Sequence, residues 1–172
     1  MPKIRFDFLV METFDRILGT TAFMETVDKA IPDAESQERE ALKQLADEQH
    51  WDFGDYYVEQ QILDEKFGHW VPTLAAYSLV IILHSTLETQ LDGLAERVGQ
   101  IRSSGFTLRD ITGHGIGRAA LYLERASSLD VKQDPAWQHL QNLQKLRNVI
   151  VHGGGKWRAG SADEQARLLQ TL

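Results

Sequence analysis

The chain has 172 residues, 42% of them hydrophobic, with a formal net charge of −7, which fits one globular domain with an ordinary core. It contains no cysteine, which excludes disulfides, thiolate catalysis and cysteine-based zinc sites. The acidic balance excludes a surface that coats nucleic acid non-specifically and leaves room only for a local basic site.

Helical periodicity runs through the chain and no segment alternates with a period of two. The start, Met1-Pro2-Lys3-Ile4-Arg5-Phe6-Asp7, is charged where a secretory leader would be apolar. A first helix is expected from Ile4 to Ala30 with Phe8, Met11, Phe14, Ile17 and Leu18 on one face, ended by Ile31-Pro32-Asp33. A polar helix follows from Glu35 to Gln49, anchored by Leu42 and Leu45, as a solvated outer element. The segment from Trp51 to Tyr57 is aromatic-rich and broken by Gly54. Its aromatic cluster reads as core or interface in preference to a base-stacking platform. The helical stretch beyond it is expected to end near Gly68.

Pro72 fits the first turn of a long helix reaching Arg102, with a stripe of Tyr77, Val80, His84, Leu87, Leu91, Leu94 and Val98. Within it, Leu74 to Leu83 is the longest apolar run. It is too short to span a bilayer and reads as part of a buried helix. Ser103 to Gly117 is a glycine-rich connection, and a helix from Ile116 to Ser128 follows, anchored by Leu121 and Leu123. Asp134-Pro135 opens the last clear helix as an N-cap followed by proline, and His152 closes it before Gly153-Gly154-Gly155. The expectation is an all-α, single-domain antiparallel helical bundle over residues 1–172, in a cytoplasmic protein without membrane association.

On the last helix, Leu140, Leu143, Ile150 and Val151 form the expected buried stripe, and Arg147 lies inside it. A guanidinium on such a face is costly unless a carboxylate, carbonyls or an incoming phosphate pair with it. Asn148 and His152 are four residues apart and share the edge of the stripe. Arg147 and His152 are separated by roughly 140° on an ideal helix. Their convergence therefore needs a bent side chain, an irregular helix end or a second subunit. His152 sits at the helix C-terminus, where the dipole favours the imidazolium.

The segment Arg147-Asn148-Val149-Ile150-Val151-His152 resembles the Arg-x4–6-His signature of HEPN domains, including the polar residue directly after the arginine. The long helix from Ala76 to Leu91, and the stretch from Leu108-Arg109-Asp110-Ile111-Thr112-Gly113 to Arg118-Ala119-Ala120-Leu121-Tyr122-Leu123, are similar to the elements that precede the motif helix in bacterial HEPN-like proteins. The resemblance covers residues 72–155, with the motif helix at 134–152. Residues 1–70 carry helices without a recognised motif.

The resemblance implies a HEPN-like bundle that homodimerises with the two motif helices facing each other across a cleft. It further implies a metal-independent endoribonuclease acting through the ribose 2′-hydroxyl, in the setting of a toxin with an antitoxin partner or of an anti-phage effector. His152 would be general base or acid, Arg147 would bind the scissile phosphate, and Asn148 would orient one of them. No cofactor and no metal are implied. The alternative is a non-catalytic HEPN-like interaction module in which Arg147 is a structural ion-pair member.

His84 and Glu88, one turn apart on the long helix, are candidate partners for the motif helix, with Glu88 the first choice for Arg147. The bland reading of His84 is a core histidine satisfied by Glu88. Gly113-His114-Gly115-Ile116-Gly117 lacks the preceding strand and the following Gly-Lys-Ser/Thr of a phosphate loop, so it reads as a turn before a helix. His50, His69, His114 and His139 lack metal-site spacing. Lys156, Trp157 and Arg158 follow the motif and would either extend an RNA contact or cover the bundle end.

Overall fold

A computed structural model describes residues 8–156. The described residues are helical and turn structure without a strand, as the periodicity predicts. Five α-helices carry the fold: α1 (Phe8–Gln49), α2 (Phe53–Glu65), α3 (Val71–Arg102), α4 (Gly115–Ser127) and α5 (Ala136–Gly153). A π-helical segment, Lys66–Trp70, joins α2 directly to α3. Short 3-10 turns occupy Leu108–Asp110 and Val131–Gln133. The chain divides into two compact units, one of Gly19–Leu79 and the other of Met1–Leu18 with Val80–Leu172.

The first unit is a helical hairpin. α1 continues through Pro32, where the sequence predicted an end. Pro32 removes one ladder hydrogen bond at a cost of about 3 kcal/mol. The segment beyond it is rich in Ala, Glu, Gln and Leu, which favour the helix. Ion pairs also tie that segment to the neighbouring helical stretch. Arg39 bridges Glu35 at 2.7 Å and Asp64 at 2.6 Å, and Lys66 meets Glu38 at 2.6 Å. Gly54 does not break α2 either, because Asp52 caps its first turn by accepting from the Asp55 N–H at 2.9 Å. The stop expected near Gly68 is replaced by the π segment. Pro72, two residues beyond it, leaves a carbonyl of the preceding turn without its donor, and a π widening is one way a helix absorbs such a defect. The hairpin buries few apolar side chains: Ala46, Leu63 and Phe67.

The second unit has a closed core. Leu123 and Ala119 of α4 and Ala95 of α3 are fully buried, with Leu108, Ile111 and Tyr122 around them. Ile116 and Ala120 pack on Trp137 of α5. Gly99 is where α3 and α4 come closest: a Cβ there would collide with the Tyr122 hydroxyl. That hydroxyl shares a hydrogen bond with Ser104 at 2.7 Å and donates to the Phe106 carbonyl at 3.1 Å.

Helix direction departs from the expectation in one pair. Glu88 lies by Gly115, Asp92 bonds Arg118 at 2.9 Å and Gly99 abuts Tyr122, so α3 and α4 run in the same sense. The connection 103–114 must therefore return along them, and Thr107 and Asp110 pin it by a reciprocal capping box. α5 runs against both.

One expected apolar stripe does not face a core, and a second does so only in part. On α1, Thr13 and Thr20 turn inward, Thr13 donating to buried Gln90 at 2.8 Å, while Phe14 and Leu18 are 63% and 62% exposed. Met11 and Ile17 are also exposed, and the side chain of Phe8 lies outside the described residues. On α5 the expected stripe holds in part: Ile150 is buried and Leu140 packs against Ile116, Ala120 and Trp137, whereas Val151 is exposed. The run Leu74–Leu83 is not a buried helix: the continuous helix Phe53–Arg102 holds an 18-residue window of mean hydropathy 1.5, only 6% of it buried. By length and composition alone that helix could cross a membrane.

Candidate functional site

Three elements of the second unit bring the site together. α3 supplies His84 and Glu88, the start of α4 supplies Gly115, and α5 supplies Gln144, Arg147 and Asn148. α5 is positioned at its start by Asp134, whose carboxylate accepts from the Ala136 N–H at 2.8 Å while its carbonyl accepts from Trp137. It ends one residue later than predicted, with Gly154 in the left-handed region at φ 57° and the Gly155 N–H returning to the Val149 carbonyl. This glycine cap leaves His152 in the last helical turn.

The backbone at Gly115 favours glycine. Its φ is +61°, and a Cβ would stand 3.2 Å from Gln144 Nε2 and 3.4 Å from Glu88 Oε1. Gly115 is thus the close-packed start of α4, where the sequence predicts a flexible turn, and Gly113 and Gly117 have open space around them. His114 precedes it without a side-chain capping bond.

His84 is 5% exposed, and neither ring nitrogen has a hydrogen-bond partner. Its Nδ1 lies 3.6 Å from a Glu88 carboxylate oxygen, beyond a good hydrogen bond. Burial holds the imidazole below its ordinary pKa. The Glu88 charge opposes this, and the Arg147 charge adds to it. A neutral His84 therefore stands within the electrostatic reach of Arg147.

Arg147 is half-buried, as its place among apolar neighbours predicts. Its Nε is buried without a partner, and its Nη1 donates to the Asn148 side-chain carbonyl at 3.1 Å. Among the described residues no carboxylate forms an ion pair with it, Glu88 included. Asn148 and His152 are both exposed on α5. The helix thus presents a guanidinium clasped by its neighbour's amide, with an imidazole in solvent near the helix end. Sequence reasoning missed Gly115 and Gln144. Gln144 is three residues before Arg147 and so on its face, which was the available signal.

The remaining candidates are dispersed. His69 meets Trp70 edge-on at 5.3 Å, and His50 adopts a left-handed turn at φ 52°. Among the described residues no three His, Asp or Glu side chains gather to hold a metal ion. Phe53 and Tyr57 stack at 6.0 Å on the hairpin surface and do not enter its core. Lys156 is exposed, and Trp157 and Arg158 lie outside the described residues. A cleft of about 520 Å³ beside the end of α3, lined by Gln100, Ser104, Phe106 and Tyr122 among others, contains none of the motif residues. No family model, no curated protein and no solved structure matches the chain.

Proposed function

We propose that the chain is a HEPN-type endoribonuclease acting as a homodimer, with Arg147, Asn148 and His152 as its catalytic set and RNA as its substrate, in a toxin or anti-phage setting. The observation that carries this reading is the state of Arg147. A half-buried guanidinium with no carboxylate and one amide contact, at Nη1, keeps its charge uncompensated for a phosphate, while its buried Nε is left without a partner. An arginine serving only as a structural ion pair would have its carboxylate.

The chemistry asks little of the protein because RNA carries its own nucleophile. His152 takes the proton of a ribose 2′-hydroxyl. The oxygen attacks the adjacent phosphorus, and the bond to the 5′-oxygen breaks. That oxygen leaves with a proton, giving a 2′,3′-cyclic phosphate and a 5′-hydroxyl end. Arg147 neutralises the charge that grows on the equatorial oxygens, and the Asn148 amide fixes the plane of its guanidinium. No step uses a metal. Cleavage of mixed RNAs is expected to persist in EDTA and to vanish in His152→Ala and Arg147→Ala. RNA left intact by purified wild type, together with equal growth effects of wild type and His152→Ala on expression, would remove the proposal.

A second reading is favoured by a different observation. The hairpin exposes a wide apolar surface on an acidic chain, which suits a HEPN-like interaction module. Under that reading Arg147→Ala lowers Tm and His152→Ala has no effect on any activity.

A further inference from the structure

The cleft beside the end of α3 lies wholly within the second unit. One wall is a single face of α3, where Glu96, Gln100 and Ser103 recur four and three residues apart. The other wall is the connection that returns along α3, with Phe106 and Arg109. Tyr122 forms the floor. Its hydroxyl occupies the place that a Cβ at Gly99 would take, and its ring meets Phe106 edge-on at 5.2 Å. The volume of about 520 Å³ falls within the range of about 300–1,000 Å³ of small-molecule sites.

The polar groups of the cleft are sorted into acceptors and donors. Ser104 Oγ lies 2.8 Å from the Phe106 carbonyl and 2.7 Å from the Tyr122 hydroxyl, which is itself 3.1 Å from that carbonyl. These three contacts share two hydroxyl protons, so both donors are used there and lone pairs are left over. The floor therefore accepts and does not donate. Glu96 adds a carboxylate, and Arg109 supplies only donors. Both charged residues are exposed, and among the described residues neither forms an ion pair, although they line one cleft.

We propose that this cleft binds a small zwitterion of the α-amino acid class, free or as a short peptide. The ammonium sits on Glu96 and the hydroxyl oxygens of the floor, the carboxylate on Arg109, and an apolar side chain against Phe106. An ammonium carries three donors and no acceptor, which matches a carboxylate beside hydroxyls whose protons are already used. A carboxylate is the planar partner that a guanidinium holds through two parallel hydrogen bonds. A nucleotide is disfavoured, because its phosphate would set up to two negative charges against one guanidinium and close to the Glu96 carboxylate. An uncharged apolar ligand is disfavoured as well, because it would take water from both charges without replacing it.

None of the motif residues lines the cleft, so the inference stands whether or not the chain cuts RNA. Isothermal titration calorimetry of the full chain tests it with L-phenylalanine, the dipeptide glycyl-L-phenylalanine, N-acetyl-L-phenylalanine, L-phenylalaninamide and AMP. At least one of the two zwitterions is expected to bind with a millimolar or tighter Kd, and the tighter of them tells free amino acid from peptide. Blocking either end is expected to weaken binding by at least about fivefold. Two variants then assign the ends. Glu96→Gln is expected to weaken the zwitterion as N-acetylation does and to leave N-acetyl-L-phenylalanine unaffected. Arg109→Gln is expected to weaken it as amidation does and to leave L-phenylalaninamide unaffected. Both positions are exposed, so both variants keep the fold. Blocked analogues that bind as well as the zwitterions, tighter binding of AMP, or binding that ignores both variants would overturn the inference. So would the absence of heat from every probe at about 10 mM.

Discussion

The two units of this chain solve the problem of burying a helix in different ways. In the second, α4 is wrapped on two sides, and Ala119 and Leu123 are fully removed from water. In the first, two much longer stretches of helix bury three apolar side chains between them and expose Phe53, Trp70 and Leu74. Helix length is therefore a poor guide to where stability resides. A short helix met from two sides stabilises more than a long one met from one, because burial and not propensity carries most of the free energy.

The sharpest way to break that contrast is to make the same kind of cut in both units. Leu123→Ala deletes a fully buried side chain and is expected to cost about 3 kcal/mol. Phe53→Ala deletes a larger one that is 83% exposed and is expected to change monomer stability by less than about 0.5 kcal/mol. Urea denaturation reads both. Equal losses would mean that the hairpin has a core the contact pattern does not reveal. Gly99→Ala comes next at about 2 kcal/mol, because the colliding Tyr122 hydroxyl is the end of a rigid, buried ring held by two hydrogen bonds. Tyr122→Phe, which keeps the ring and removes those bonds, is expected to cost about 1 kcal/mol in the same assay.

The same contrast explains how much of the molecule could be read from its residues. Helix type and most of the boundaries in the second unit were legible, since Asp134-Pro135 and the triple glycine are local signals that act within one turn. Arg147 was legible as a cation among apolar neighbours, but not that it would be only half-buried and without Glu88 as its ion-pair partner. The continuity of α1 through Pro32 was not, because a proline's local cost is fixed while contacts that hold the helix beyond it, such as the pairs of Arg39 with Asp64 and Lys66 with Glu38, come from residues about 25 positions away. The outward stripe of Met11, Phe14, Ile17 and Leu18 misled for a related reason. Periodicity identifies a face but not what covers it. A stripe awaiting a partner chain has the same pattern as one awaiting a core. The parallel run of α3 and α4 was hidden too, since a twelve-residue glycine-rich connection permits either sense and only Gly99 and Gly115 mark where the helices approach.

The smallest effect concerns His84, the one strongly buried titratable group at the candidate site. Its pKa is lowered from 6.5 by burial and by Arg147, against the pull of Glu88. The unfolded chain therefore binds a proton before the folded one does. The stability that follows from this is fully present above about pH 6.5 and is lost as pH falls through that value toward the folded pKa. His84→Leu is expected to remove this slope between pH 7 and pH 5, measured as the pH dependence of urea midpoints. The two neighbours should move the histidine in opposite directions in an NMR titration. Arg147→Ala raises the His84 pKa by removing a like charge, and Glu88→Gln lowers it by removing the opposing one. A His84 resonance that ignores Arg147→Ala would separate α5 from α3 electrostatically. The guanidinium and the buried imidazole would then have to be treated as two sites.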